Sequence, residues 1–404
     1  MHKTPFMHGI RMTFIFACTL FLLAGCEKTA PPLPEDAALL DGPVEGLTTE
    51  QNQRFLKGDI AFNDEVFTAA TGLGPVFVAT SCAACHAGDG KGHPFTTLTR
   101  FGQSDESGNQ FLHLGGPQLQ HRALPGFQPE ELPAGAPFTK LLPPANTGLG
   151  FLEAVPDAVL MALADPEDAD GDGISGRPNW VNLPDYISPR PDAIVQDGKY
   201  IGRFGKKAAV YDLLQQTANA YNQDMGIVSF YEPFDPYTGL EMDPEVSNQT
   251  IHDLVFYLRT LKAPVRRNEH AMEVSAGRTL FEQIGCAKCH VPTLNSGPSP
   301  ISVLAYREFS PYTDLLLHDM GPDLDDGYTE GSAKTAEWRT PPLWGLGLSK
   351  DAQGGQYFLM HDGRASGIEA AILLHGGEGN SSKEAYKALN NQEKQQLLVF
   401  LESL

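Results

Sequence analysis

Cys82-Ala83-Ala84-Cys85-His86 and Cys286-Ala287-Lys288-Cys289-His290 decide how this chain is to be read. Both are C-x-x-C-H. Two thiols three residues apart on a helical turn face the same way, so each can form a thioether to one vinyl group of a haem. The next residue then sets its imidazole under the iron. At this chain's Cys and His frequencies one such match is expected by chance on the order of 0.003 times. Of the six cysteines, Cys18 and Cys26 lie near the N-terminus, and the two motifs use all the others. A zinc site drawing on both pairs would have to bridge about 200 residues, far outside compact zinc-ribbon spacing. A redox dithiol has no use for a histidine after each pair. The motifs therefore predict two covalently bound haem c groups, with His86 and His290 as proximal iron ligands.

An internal repeat surrounds the motifs. Ser275 to Gly285 reads as an amphipathic helix leading into Cys286, with Leu280, Phe281 and Ile284 on one face. Gly72 to Ser81 is expected to play the same part before Cys82, although its β-branched residues weaken it as a helix. Leu254-Val-Phe-Tyr-Leu-Arg-Thr-Leu261 and Leu397-Leu-Val-Phe-Leu-Glu-Ser-Leu404 are near copies, and Asn390 with Glu393 has the spacing of a capping box before the second. In cytochrome c folds a C-terminal helix crosses the helix that carries C-x-x-C-H. The expectation is a mostly α protein of two cytochrome-c-like domains, 48–263 and 268–404, hinged at Ala263 to Arg267. With 41 Gly and 31 Pro in 404 residues, long loops should join the helices.

The N-terminus reads as an address. Residues 1–25 carry Lys3 and Arg11, no acid, and the apolar run Met12 to Leu23, too short to span a bilayer comfortably. The run ends in Leu23-Ala24-Gly25-Cys26, which looks like a bacterial lipobox, with Cys26 lipidated after cleavage. Residues 26–47, rich in Pro, Ala and acid, read as a flexible tether. Membrane contact is expected through this lipid alone, on the periplasmic face of the envelope and at the outer membrane. Lys and Arg number 29 against 50 Asp and Glu, a formal charge of −21. Phosphate backbones need a basic footprint, so a nucleic-acid partner is excluded.

Further segments carry a resemblance: Gly148-Leu-Gly-Phe-Leu-Glu-Ala-Val155, Asp168-Ala-Asp-Gly-Asp-Gly-Ile-Ser-Gly176, Gly202-Arg-Phe-Gly205, Asp224-Met-Gly226, His318-Asp-Met-Gly321, Arg339-Thr-Pro-Pro-Leu343, His361-Asp-Gly-Arg364 and His375-Gly-Gly377. Together they resemble the bacterial di-haem oxidoreductases, peroxidase relatives sometimes labelled thiol oxidoreductases and a branch of the di-haem cytochrome c peroxidases. The resemblance implies an enzyme with one six-coordinate haem that handles electrons and one that opens a position to peroxide. It implies a small redox donor of cytochrome or cupredoxin type.

Following those relatives, His375 is the first choice as distal ligand of the C-terminal haem, with Met320 as the alternative. Gln216 and Asp224 resemble the distal Gln and Glu stretch of the peroxidases, and Asp224 would be the acid; Met225 could instead close that site as a ligand. Where the peroxidases place an aromatic after the residue matching Phe204, this chain has Gly205 and Lys206. Trp338 and Trp344 are candidates to fill that gap. Arg203, Arg339 and Arg364 are candidates to pair with haem propionates through bidentate geometry, with a solvated surface arginine as the competing reading. Asp168, Asp170 and Asp172, followed by Gly173, form the first half of an EF-hand-like loop, so a Ca²⁺ site is a further expectation. Position twelve of that loop is Asn179 rather than Glu, so the bidentate ligand would have to come from elsewhere.

Overall fold

The computed structural model describes residues 39–404. The expected signal, the lipid anchor at Cys26 and the first part of the tether lie outside the described residues. Ten α-helices occur among those described. In chain order they are α1 (Thr49–Asn63), α2 (Leu149–Glu153), α3 (Asp157–Leu163), α4 (Leu213–Met225), α5 (Asn248–Thr260), α6 (Met272–Gln283), α7 (Ser349–Ala352), α8 (Ile368–Leu374), α9 (Asn380–Ala388) and α10 (Asn391–Ser403).

Two crossed helix pairs organise the molecule: α1 packs on α5, and α6 packs on α10. The reason is visible in two glycines. A Cβ on Gly58 would stand 2.2 Å from the Asp253 carbonyl oxygen and 2.5 Å from the Tyr257 Cβ. A Cβ on Gly277 would stand 2.1 Å from the Gln396 carbonyl oxygen and 2.6 Å from the Phe400 Cβ. Only glycine lets the backbones approach this closely. Four residues on, Phe62 and Phe281 pack against those same aromatics, with ring centroids 5.5 Å from Tyr257 and 5.4 Å from Phe400. Thr48 with Gln51 and Asn390 with Glu393 close capping boxes at the starts of α1 and α10. The Ser247 hydroxyl accepts from the Thr250 amide at the start of α5.

The expectation of a mostly α fold is corrected. Among the described residues 33% are helical and 11% are in strands. The connections hold small antiparallel sheets: Leu98–Phe101 with Phe138–Leu141, Leu317–Asp319 with Glu337–Arg339, and three short strands over 180–201. Gly and Pro punctuate these segments too often for helix, so the backbone satisfies itself in short ladders and turns. Gly72 to Ser81 illustrates the point. Gly72, Gly74 and Pro75 deny it a helix, and Val76–Phe77 pairs instead with Arg122–Ala123. The helix equivalent to α6 is α1, about twenty residues before the first motif.

Three large apolar clusters and two small ones form the core among the described residues. One joins Phe55 and Phe62 to Tyr221, Leu254 and Leu258; a second joins Val274 and Phe281 to Leu397, Phe400 and Leu401. A third, with Leu152, Leu160, Leu316 and Trp344, draws on residues from both sides of 263–268. Residues 42–44 pair with 260–262, so the chain is already held there: the Val44 amide donates to the Thr260 carbonyl at 2.7 Å. No helix among the described residues is long and apolar enough to cross a membrane.

Candidate functional site

Each C-x-x-C-H lies at the wall of its own cleft. The first cleft is lined by Cys82, Cys85 and His86, the second by Cys286, Cys289 and His290. They enclose about 1670 and 1480 Å³, counting the part open to solvent. The two thiol pairs do not meet. Among the described residues, no group of three or more Cys, His, Asp or Glu converges as metal ligands at either cleft. A shared zinc site is thereby ruled out. Burial pushes the Cys82, Cys85 and Cys286 thiols up to about 12, with the Asp224 carboxylate adding to the shift at the first two. Reactive dithiols require the opposite shift.

Both histidines are prepared in the same way. His86 donates its Nδ1–H to the Pro144 carbonyl at 2.9 Å, and His290 donates to the Tyr312 carbonyl at 3.1 Å. Burial brings each imidazole down to about 4, so both are neutral at pH 7. A neutral ring whose Nδ1 is occupied offers the Nε2 lone pair to a metal. The carbonyls come from equivalent places, each on the residue that follows a proline, Pro143 or Pro311.

The far walls differ. In the second cleft His375 follows α8, and its ring centroid lies 6.5 Å from that of His290. Two metal–imidazole bonds of about 2 Å each, plus the half-ring on either side, span such a gap. His375 Nδ1 donates to the Ala371 carbonyl at 2.8 Å, and burial lowers its pKa, so it too is neutral with Nε2 unused. Met320 lines the same cleft and packs with Leu141, Leu324 and Trp338.

The neighbouring His318 has no free nitrogen. It lies between Asp314 (Nε2, 2.8 Å) and Glu378 (Nδ1, 2.6 Å), 3.5 Å from the Cys289 sulfur. Burial opposes its charge, but these bonds raise its pKa well above the ordinary value and it stands as a cation. Glu378, held down to about 2 despite burial by His318 and Ser175, ties this wall to the aspartate loop.

In the first cleft one face of α4 supplies the wall: Leu213, Gln216, Thr217, Ala220, Tyr221 and Asp224, at helical spacing. The Thr217 and Tyr221 hydroxyls are buried without hydrogen-bond partners among the described residues. Asp224 accepts from the Gln118 side-chain amide. Burial raises its carboxyl to about 6, against the smaller effects of Gln118 and Arg100. Met225 also lines this cleft, but its side chain belongs to the first core cluster.

The other sequence candidates separate. Arg203 is fully buried and paired with Asp157. Arg364 bonds Asp362 at 2.8 Å. Arg339 alone of the three lines the clefts, and it lines both. Trp344 lines only the first cleft and Trp338 only the second, where Trp338 stacks on His361 at 3.7 Å and carries Lys207 on its ring at 3.8 Å. In the aspartate loop the oxygens that converge, all within 4.8 Å, are those of Asp165, Asp168 and Asp170. Asp172 turns away to Lys288 at 2.8 Å. Glu378, Gln118 and the cleft-lining Lys91 belong to no motif: Glu378 and Gln118 bond His318 and Asp224 from far away in the chain, and Lys91 is brought to the clefts by the fold alone.

The geometry fits haem on four counts: paired thiols, a neutral Nε2 below, apolar walls, and unpaired buried hydroxyls and cations. Comparison with known proteins agrees. Residues 142–404, well over half the chain, match the family described as "Di-haem oxidoreductase, putative peroxidase". That match begins after the first C-x-x-C-H. No curated protein sequence matches the chain. Among solved structures, a chain of Kuenenia stuttgartiensis hydrazine synthase is similar at 15% identity, covering 93% of this chain and 94% of that one, with a TM-score of 0.41. A likeness so loose supports no further conclusion.

Proposed function

Because the chain belongs to the di-haem oxidoreductase family, we propose that it is a periplasm-facing lipoprotein with two covalent haem c groups, which passes electrons from a small redox donor to peroxide. The donor is a cytochrome or cupredoxin. When bound, haem supplies one-electron chemistry at each iron. The chain's own residues set what each cleft does with it. His290 and His375 present neutral nitrogens from opposite walls, which suits a saturated electron-transfer centre of low potential. His86 presents one nitrogen, and the wall of α4 leaves room for a small substrate beside Gln216 and Asp224. Reduction of one peroxide to two waters consumes two electrons from the donor and two protons. Asp224 holds one of those protons, since its raised carboxyl is protonated in part near neutrality. Gln118 orients that carboxyl.

The observation that carries this reading is the contrast between a paired His290–His375 wall and an acid-bearing wall opposite His86. The test uses full-length protein made with cytochrome c maturation machinery. Intact mass should give two haems per chain, and hydrogen peroxide should oxidise a reduced small cytochrome through it. Two haems without peroxide turnover would leave an electron carrier. A mass equal to the bare processed chain would end the proposal.

A further inference from the structure

Lys91, Lys206 and Arg339 each line both clefts. Among the described residues none of the three makes an ion pair. This is unexpected in a chain with 50 acidic residues against 29 basic ones, because a buried cation is costly unless it is paired. Burial brings Lys91 down to about 8. Lys206 falls well below its ordinary range, first through burial and then through repulsion from Lys91 and Arg339. Asp362 favours the Lys206 charge, but it is already bonded to Arg364.

The three cations are held in place by backbone. The Arg339 amide donates to the Lys206 carbonyl at 2.9 Å, and the Arg339 Nε donates to the Gly205 carbonyl at 2.9 Å. Gly92, next to Lys91, is fixed by its amide to the Pro143 carbonyl at 3.0 Å and by the Gln353 side chain to its carbonyl at 2.9 Å. The other residues common to both clefts are Pro341, Leu343 and Leu346; no aromatic side chain lines both. The divider is therefore aliphatic and cationic, built by segments that cannot move apart without breaking these bonds.

We infer that Lys91, Lys206 and Arg339 form one cationic seat, shared by the two clefts, for the carboxylate groups that both haems carry. The inference rests on the di-haem reading above. Anions on both sides of one triad answer the missing countercharge. They also couple the clefts, because each charge in the seat acts on both irons. A cation near an iron favours electron gain, so removing one lowers the potential of each haem it faces.

Spectroelectrochemical titration of the matured holoprotein tests this. Lys206→Met should keep two haems by intact mass. At a fixed applied potential it should lower the reduced-to-oxidised ratio of both haems about tenfold, which is ~59 mV for a one-electron couple. Lys206→Arg should restore most of the shift. Lys57→Met, on the exposed face of α1, should move neither haem. Added inorganic phosphate should not lower the wild-type potentials; a lowering of both would mean that free anions, not haem carboxylates, occupy the seat. A shift confined to one haem, or no shift, with both haems present overturns the shared seat. If Lys206→Met does not accumulate, Lys91→Met carries the same expectation and the same refutation. Wild-type protein lacking haem would instead remove the functional reading itself.

Discussion

The cleft around His86 and the cleft around His290 share a proximal half and differ in their distal half. In both, a glycine lets two helices touch, a phenylalanine four residues later packs near the proximal imidazole, and a carbonyl after a proline holds Nδ1. The Phe62–His86 and Phe281–His290 centroid distances are 6.0 and 6.4 Å. Beyond the plane between the walls the likeness stops: a histidine faces one proximal ring, and an amide and a carboxyl occupy the wall of the other. The shared frame presents a neutral imidazole nitrogen in each cleft, and the unlike wall sets which groups face it. A repeated frame with unlike walls is what the proposed division of labour between the two clefts rests on.

The comparison breaks most sharply if the frames are not independent haem sites. Replacing Cys82 and Cys85 with Ala should halve the haem content, and Cys286 and Cys289 with Ala should remove the other half, read by intact mass. Retention of both haems in either variant would show that the thiols are not the attachment points. The crossings come next. Gly277→Ala places a methyl 2.1 Å from a backbone oxygen that cannot retreat, and should cost about 3 kcal/mol or more in denaturant unfolding. Gly58→Ala should cost a similar amount if the two crossings are equivalent, and an unequal pair would show that only one crossing is tight.

His375→Ala should convert the second haem from low spin to high spin while leaving the first unchanged. Asp224→Asn sharpens the contrast through pH. The Asp224 carboxyl titrates near 6 in the folded chain and near 3.9 when unfolded. Its protonated form is thus favoured by folding, and wild type should lose stability as pH rises from about 4 through 6. The Asn variant should lack that loss in denaturant midpoints taken at pH 4 and pH 7, and should turn over peroxide slowly at both. The smallest effect belongs to Lys288→Met. It frees Asp172 from an exposed pair and should change stability by less than about 1 kcal/mol.

The proximal frame was largely legible. C-x-x-C-H is local, so spacing alone identifies it, and the near-copies at 254–261 and 397–404 announce the crossing helices. The partner of the first crossing is less legible because its helix ends at Asn63, well before Cys82 instead of next to it. The sequence signal for that crossing is Gly58-x-x-x-Phe62, which repeats Gly277-x-x-x-Phe281. Between Gly72 and Ser81 the apolar pattern suggests helix, but Gly72, Gly74 and Pro75 forbid it. The distal walls and the cationic divider were less legible. Lys91, Lys206 and Arg339 come together only because two loops and the end of the strand Glu337–Arg339 converge, and both ring nitrogens of His318 are occupied by Asp314 and by Glu378, sixty residues away. The aspartate loop was found, but Asp165 takes the place expected of Asp172, because Lys288 draws the latter aside.

Electron paramagnetic resonance of the oxidised and half-reduced holoprotein tests the two-wall account most directly. It should show one low-spin centre from the His290–His375 cleft in both states. It should also show one high-spin centre from the His86 cleft, present at rest or appearing on half-reduction. Two low-spin centres in every redox state would contradict it.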